Sequence, residues 1–547
     1  MKRVYDAIIV GGGHNGLVTA AYLAKAGKKV CVLESRALVG GAAVTEELVP
    51  GYKFSRGAYL GGLLRPAVIE ELELETKYGL RFYPRTHSSF TPLQSGESLL
   101  MGQSQELNQR EISKFSKKDA AAYPKYEAQL KRFANILEDT LDSIPPDPAS
   151  MAGKERAELF EHAKTLGVGG RNMAKLGKEM GTFLQFLTAP ASQWLDMWFE
   201  SEPLKATLAT DAIIGAHVAA SSPGTGYVLL HHVMGDWAYV EGGMGSIPNS
   251  IAKAAKAFGA EIETEAVVES IDVCPTQGNV RGVTLSTGET LSGKVVVSNA
   301  TPDKTLMGDA SLLKEKDRAS FLPDMYTKNM SSISYQSSTT KINVAVDRVP
   351  QFSSIGREGN VPGPEHEGTI HIGCESMESL HAAYRDAEYS KVPSMTPLVE
   401  MTLPSVLDPT LAPEGHHVVN LFIQYTPYTP SDGPWDQASK QDFSERIFGL
   451  IDQYAPGFSE SIVGEPDILT PPDLEKTFGL TGGNIFHGEM TLDRLFITRP
   501  ASSGASYRVP GVKGLYLCGA GTHPGGGVMG AAGRNCSRAV LRDMKKG

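Results

Sequence analysis

The sequence predicts an α/β protein in which a nucleotide-binding domain is interrupted by an α+β insertion, and three observations carry that reading. A strand, a glycine-rich turn and a helix open the 547-residue chain, a second glycine-rich turn lies close to its end, and a helix followed by a β-meander occupies the middle.

The first turn, "GGGHNG", places Gly11, Gly13 and Gly16 in the spacing G-x-G-x-x-G, with Gly12, His14 and Asn15 between them. "YDAIIVGGG" reads as a buried strand, and "LVTAAYLAKAG" as a helix whose small residues allow it to lie close to a sheet. "KKVCVLES" is a second strand that ends at Glu34, followed by Ser35 and Arg36. Gly11 permits the tight turn, Gly13 lets backbone approach a pyrophosphate, and Gly16 lets helix and strand pack closely. The helix N-terminus presents unpaired N–H groups to phosphate. Glu34 stands where an acid accepts ribose hydroxyls, and its charge disfavours a 2′-phosphate. Such a pattern alone also fits a purely structural turn; strand, helix and acid together point to an ADP-containing cofactor.

Whether that cofactor is NAD or FAD is left open by the first turn. "ESRALVGGAAVTEE" continues from Glu34 with the pair Gly40–Gly41 and then Ala42. A second close backbone approach suits a longer cofactor, but a simple glycine turn reads equally well.

The second turn resolves the choice. In "GLYLCGAG" and "HPGGGVMGAAG", a short strand enters a loop with Gly519, Gly525, Gly526, Gly527, Val528 and Gly530, and a helix then runs to the end. No strand or acid follows, so a second ADP site is excluded. A helix N-terminus there would stabilise the negative charge that a reduced flavin carries near N1 and O2. The two turns are therefore expected to hold opposite ends of one FAD, which requires the chain to return to its beginning in space. Between them, "WAYVEGGMGSIPNSIAKAAKAFGAEIETEAVVESIDV" reads as loop, amphipathic helix and strand, and "VRGVTLSTGETLSGKVVVSNATPDKT" as a meander closing on Lys294 to Asn299.

The stretches "GGGHNGLVTAAYLAKAGKKVCVLESRALVGGAAVTEE", "YVEGGMGSI" and "LYLCGAGTHPGGGVMGAAG" resemble the phytoene desaturase and carotenoid isomerase-like flavoprotein family. "GYKFSRGAYL", "WFESEPLKATLATDA", "SVLDPTLAPEGHHVV" and "ILTPPDLEKTFGLTGGNIFHG" extend the resemblance almost end to end. It implies a Rossmann-like FAD-binding domain of the glutathione reductase/amine oxidase-like type with an inserted α+β substrate or cap domain. It also implies an oxidoreductase of undefined substrate, residence in the mitochondrial matrix, and the option of a mitochondrial protein partner. Carried over, Gly11, Gly13, Gly16, Glu34, Arg36, Gly40 and Gly41 would contact FAD, Val268 would meet the adenine through its backbone, and Gly519 with the Gly525–Gly530 loop would face the flavin. Carotenoid desaturases usually carry arginine where this chain has Ala42. Mitochondrial relatives begin with an additional segment, whereas here "VYDAIIVG" starts almost at Met1, so no leader is expected ahead of the first strand and the alternative address is cytoplasmic.

The expected FAD-binding domain comprises 1–75, 230–305 and 485–547; the cap comprises 76–229, read as largely helical, and 306–484, read as strands and proline-rich loops. A net charge of −10 and the lack of a basic run argue against nucleic acid. None of the five cysteines forms C-x-x-C, so a redox disulfide of that kind is not expected. The uncharged stretch Ala212 to Gly235 holds three histidines, a proline and four glycines, which suits backbone folded inside a protein better than a membrane span. The helical part of the cap offers a second, weaker option of docking on a membrane or partner.

Flavin N5 accepts a hydride from carbon, so the protein must position that carbon, exclude water and supply a base. His523 in "THPGG" and His487 in "NIFHG" are the flavin-side candidates, with Lys341 in "KINVAVD" a third; each also reads as a structural residue. His231–His232 and His416–His417 lack a third ligand at metal spacing, so no metal is expected. The expected function is hydride removal from a hydrophobic or conjugated small-molecule substrate. The alternatives are a redox-neutral isomerase using reduced FAD and a flavoprotein retained as a regulatory partner.

Overall fold

The computed structural model describes residues 3–146, 167, 170–171, 173–357 and 359–545. Its first sheet is built around Val4–Val10, a run buried along nearly its whole length. Such a strand belongs inside a parallel sheet covered on both faces. Parallel neighbours lie on either side: Val30–Leu33 and then Glu261–Glu263 on one, Thr290–Ser298 and then Leu515–Leu517 on the other. Val268–Val273 and Val280–Leu285 form the meander, antiparallel to the first half of Thr290–Ser298.

Helix His14–Lys25 covers one face with helices Ser246–Ala257 and Ala531–Met544. Leu17, Val18, Ala20 and Ala21 meet Ile247, Ile251, Ala254, Cys536 and Ala539 in one core. The alanines let the three helices approach closely. The C-terminal helix is pinned to the first one: Gly533 N–H donates to Asn15 Oδ1 at 3.3 Å, and Thr19 Oγ1 donates to Gly533 O at 3.1 Å. A Cβ on Gly533 would lie 2.3 Å from the Asn15 carbonyl. The chain does return to its beginning.

The opposite face is covered by Leu306, Leu312, Leu313, Leu322, Tyr326 and Met330, packed on Tyr5, Ile8, Val10 and Val296. The reading of 306 onward as cap is corrected here: up to about residue 331 the chain completes the first domain. A parallel sheet needs a second apolar cover, and this segment supplies it.

The second sheet runs Ile462–Leu469, Thr339–Val346, His417–Gln424, Leu398–Thr402, Thr369–Ile372, His87–Pro92, Ser98–Gly102. The last two strands form a hairpin inside a region read from sequence as largely helical; Leu93 N–H donates to Glu97 O across its turn at 2.9 Å. One sheet face packs Ile342, Val344, Ile370, Val399, Met401, Val419 and Leu421 against Phe443, Ile447 and Ile451 of helix Gln437–Asp452. The other face carries Lys341, Asn343, His371, Glu400, Thr402, Asn420 and Phe422.

Helices Lys117–Leu141, Met180–Thr188, Ala191–Trp198, Glu202–Ile213 and Thr225–Val233 form a lobe around Tyr126, Phe133, Phe183, Phe186, Trp194 and Phe199. Part of the expected helical cap, 147–166 with 168, 169 and 172, lies outside the described residues. Among the described residues no helix is long and apolar enough to cross a membrane. The stretch from Ala212 to Gly235 instead closes one helix and forms another, with Ala212, Ile213, Leu229, Leu230 and His231 buried.

Candidate functional site

A cavity of about 840 Å³ runs between the first sheet, the second sheet and the helical lobe. That is within the usual range for ligand sites, toward its upper end. At one end stand Gly11, Gly13, His14, Asn15, Glu34, Ser35 and Arg36, with Ala266, Val267 and Val268 beside them. Gly40, Gly41, Ala42, Asn299, His487, Ala520, Gly527 and Val528 line its middle. Tyr59, Arg85, Asp211, Lys341, His371 and Glu400 line the far part.

The glycines leave a cradle that side chains would fill. Gly11 holds φ +96°, a conformation that favours glycine. A Cβ on Gly13 would fall 2.6 Å from Asn299 Nδ2, and one on Gly16 would fall 2.2 Å from the Gly11 carbonyl. The Gly40 N–H donates to Gly12 O at 2.8 Å, so the second glycine pair is laced to the first turn. Gly40 and Gly41 both hold positive φ. Gly12 and Gly16 shape this cradle from behind rather than lining the cavity.

Glu34 is buried, and its carboxylate accepts from Gly12 N–H at 2.7 Å, Arg36 N–H at 2.9 Å and Ser35 Oγ at 3.2 Å. Arg36 N–H and Ser35 Oγ share Oε1, while Oε2 accepts only Gly12 N–H, so its second lone pair leaves capacity for a ribose hydroxyl. Arg36 is held by Glu46 at 2.9–3.0 Å and stacks over the Phe478 ring at 5.3 Å, while its Nη1 is buried with no hydrogen-bond partner. Phe478 and its neighbours Leu474 to Leu480 come from the inserted region and wall this end. Sequence reading missed them, because nothing local marks a helix end in the insertion as a cofactor wall.

The two histidine candidates separate. His487 lines the cavity, its Nδ1 buried without a partner; burial, then the neighbouring charge of His14, lowers its pKa to about 3. His523 does not line it. Its Nε2 donates to the Thr140 carbonyl at 2.9 Å and its ring packs near Phe496, so placing it at the flavin is corrected: the loop turns its side chain into the helical lobe. Burial lowers its pKa to about 4.

The C-terminal loop contributes unequally. Gly527 and Val528 border the cavity, whereas Gly519, Gly525, Gly526 and Gly530 do not. Gly519 packs behind His487, where a Cβ would meet its Nδ1 at 3.3 Å. Gly525 lies against Met490, Gly526 offers its carbonyl to His231 Nε2 at 3.1 Å, and Gly530 begins the terminal helix. The element that holds this loop was missed from sequence. Arg499 is 2% exposed and donates to the carbonyls of Phe486 (2.7 Å), Gly488, Glu489, Arg494 and Ala520 (3.0 Å). It ties the loop carrying His487 to the loop carrying Ala520.

The far chamber has a polar floor. Lys341, Phe422, Glu400 and His371 lie opposite one another on four neighbouring strands. Lys341 Nζ donates to Asn343 and to Asn420 Oδ1 (3.1 Å), and burial lowers its pKa to about 7 against the pull of Asp467. Burial pushes Glu400 up to about 8, opposed by the hydrogen bond from Tyr59 (2.7 Å). Burial also holds His371 down at about 4. In sequence these residues are the polar half of an alternating strand, and alternation normally marks a solvent face.

All five cysteines are buried and free, and among the described residues no group of three His, Cys, Asp or Glu side chains forms a metal cluster.

Comparison with known proteins adds identity to this geometry. The family described as flavin containing amine oxidoreductase matches residues 16–541. The chain is 48% identical to the rat protein named pyridine nucleotide-disulfide oxidoreductase domain-containing protein 2, covering 100% of this chain and 94% of that one. It is 25% identical to chloroplastic prolycopene isomerase of Daucus carota, over 99% of this chain and 81% of the relative. Among solved structures, cyclohexylamine oxidase from Brevibacterium oxydans is similar in fold, with TM-score 0.56, 16% identity and 99% of each chain covered.

Proposed function

The chain belongs to the flavin containing amine oxidoreductase family, is a FAD-dependent oxidoreductase, and from that premise we propose that it takes a hydride from a carbon of a largely apolar organic substrate. FAD, when bound, supplies the hydride acceptor at flavin N5. The observation that carries the proposal is the continuity of the cavity: one space joins the glycine cradle to a chamber walled by Met101, Tyr123, Leu130, Leu208, Ile214 and Leu229.

In this reading the cradle of Gly11, Gly13, Gly40 and Gly41 holds the diphosphate, and Glu34 orients the ribose. Gly527, Val528 and Ala520 border the ring, and Arg499 keeps their loop in place. The apolar walls exclude water. Lys341 is the candidate base: burial lowers the pKa of its Nζ to about 7, which lets it take the proton a substrate heteroatom releases when its carbon loses hydride.

Anaerobic mixing of the purified flavoprotein with a panel of apolar alcohols, amines and alkenes tests the proposal. Loss of flavin absorbance near 450 nm, slowed by deuterium at the reacting carbon, is expected. Turnover only after prior flavin reduction, with no net electron transfer, would overturn it in favour of an isomerase.

A further inference from the structure

We infer that the substrate is a hydroxylated apolar molecule whose hydroxyl binds between Arg85 and Asp211, beside Glu400. The inference rests on the reading of the far chamber as the substrate site and deepens it.

Arg85 is 6% exposed. Its Nε donates to the Trp237 carbonyl at 3.3 Å, its Nη1 to Thr369 Oγ1 at 3.1 Å, and its guanidinium stacks 5.6 Å over the Tyr239 ring. Its third nitrogen, Nη2, makes no well-formed hydrogen bond to a described residue, the Tyr239 hydroxyl interacting with the guanidinium without reaching hydrogen-bond geometry, and Arg85 borders the cavity. Asp211 borders it too. Its carbonyl accepts from His232 Nδ1 at 2.5 Å, but its carboxyl group has no hydrogen-bond partner among the described residues. Glu400 is 6% exposed; its Oε2 accepts from Tyr59, and its Oε1 lies 3.9 Å from His371 Nε2, outside hydrogen-bond range.

The chamber therefore presents a fixed cationic donor with one nitrogen to spare and a carboxyl group that accepts no hydrogen bond from the described residues. A pure hydrocarbon would seal both from water with nothing in exchange, which buried polar groups do not tolerate. Prolycopene, named for the carrot relative, is such a hydrocarbon. An ammonium would sit against Arg85, and a carboxylate would be accepted only with Asp211 and Glu400 both protonated, the direction in which burial moves them. A neutral hydroxyl accepts from one and donates to the other, with Glu400 as a further partner. The apolar walls then take the rest of the molecule.

Calorimetric titration of the oxidised holoprotein with β-farnesene, farnesol, farnesoic acid and farnesylamine, which share one hydrocarbon chain, tests this. Farnesol should bind at least tenfold more tightly than each of the other three. In Asp211→Leu and in Arg85→Met, each checked for flavin content and melting temperature, its advantage over β-farnesene should fall to threefold or less. The wild-type ranking carries the test if a variant fails to fold. Equal binding of β-farnesene, tighter binding of the acid or amine, or no binding of farnesol would overturn the inference. Preferential farnesol binding with no alcohol ever bleaching the flavin would leave it standing and remove the proposed hydride transfer instead.

Discussion

The Tyr59 hydroxyl donates a 2.7 Å hydrogen bond to Glu400 Oε2, joining the first glycine-rich segment of the chain to the centre of the second sheet. Tyr59 also packs against Phe422, with ring centroids 5.6 Å apart, and lies under the Lys341 ammonium at 5.4 Å. One side chain of the cofactor domain thus touches three members of the polar floor, and the protonation of that floor is coupled to how the two sheets meet.

Glu400 makes stability fall as pH rises. Its folded pKa of about 8 lies above the ordinary value of 4.5, so between these limits the folded protein binds a proton that the unfolded chain has released. Stability contributed by this group is full below about 4.5 and lost toward 8, by at most about 5 kcal/mol. Glu400→Gln should flatten the dependence of melting temperature on pH across that window. An unchanged slope would show that Glu400 is ionised in the folded protein.

Lys341 sets a pH dependence of opposite use. Neutral above about 7, it is available as a base only on the alkaline side, so the rate of flavin reduction should rise through pH 7. Lys341→Met should lower that rate at least tenfold and remove the rise. Because burial holds His487 and His523 near 3 and 4, neither should add a limb near 6.5.

The glycine cradle should fail by shape. Gly13→Ala drives a methyl group toward Asn299 at 2.6 Å in the space meant for diphosphate. The ratio of flavin to protein absorbance should fall at least tenfold, with the far-ultraviolet circular dichroism retained. Gly16→Ala, which meets the Gly11 carbonyl at 2.2 Å, should also lower stability by about 1–3 kcal/mol.

Arg499 should behave as a buried scaffold. Among the described residues its hydrogen bonds go to backbone carbonyls alone, and burial lowers its pKa to about 10. Arg499→Met leaves up to five carbonyls unpaired and frees two loops at once, so a loss of about 3–5 kcal/mol with release of flavin is expected in chemical denaturation. A stable variant that keeps its flavin would refute the scaffold role.

The legible part of the site is the part whose chemistry is local. Gly11, Gly13 and Gly16 are constrained by their own turn and Glu34 by the end of its strand, so a short quotation of sequence carries them, whereas the Gly40–Gly41 pair reads equally well as a simple turn until its positive φ and its bond to Gly12 are seen. On paper His523 is the better-placed candidate and His487 the second, each beside glycine or proline in a loop. The direction of each side chain depends on whether the loop meets Arg499 or the helical lobe, and no local pattern encodes that. Likewise Leu312 and Tyr326 read as part of the insertion until the uncovered face of the parallel sheet is seen to need them.

By itself, then, the sequence determined the strand–turn–helix cradle, the need for both chain ends to meet, and the α/β class, because backbone sterics and apolar periodicity act over a few residues. Tertiary structure alone decided that Lys341, Glu400 and His371 are buried against an internal chamber rather than lying on an outer face. Alternation along a strand tells the two faces apart, but the medium a polar face meets is set by what packs over it, and here that is a domain distant in the chain.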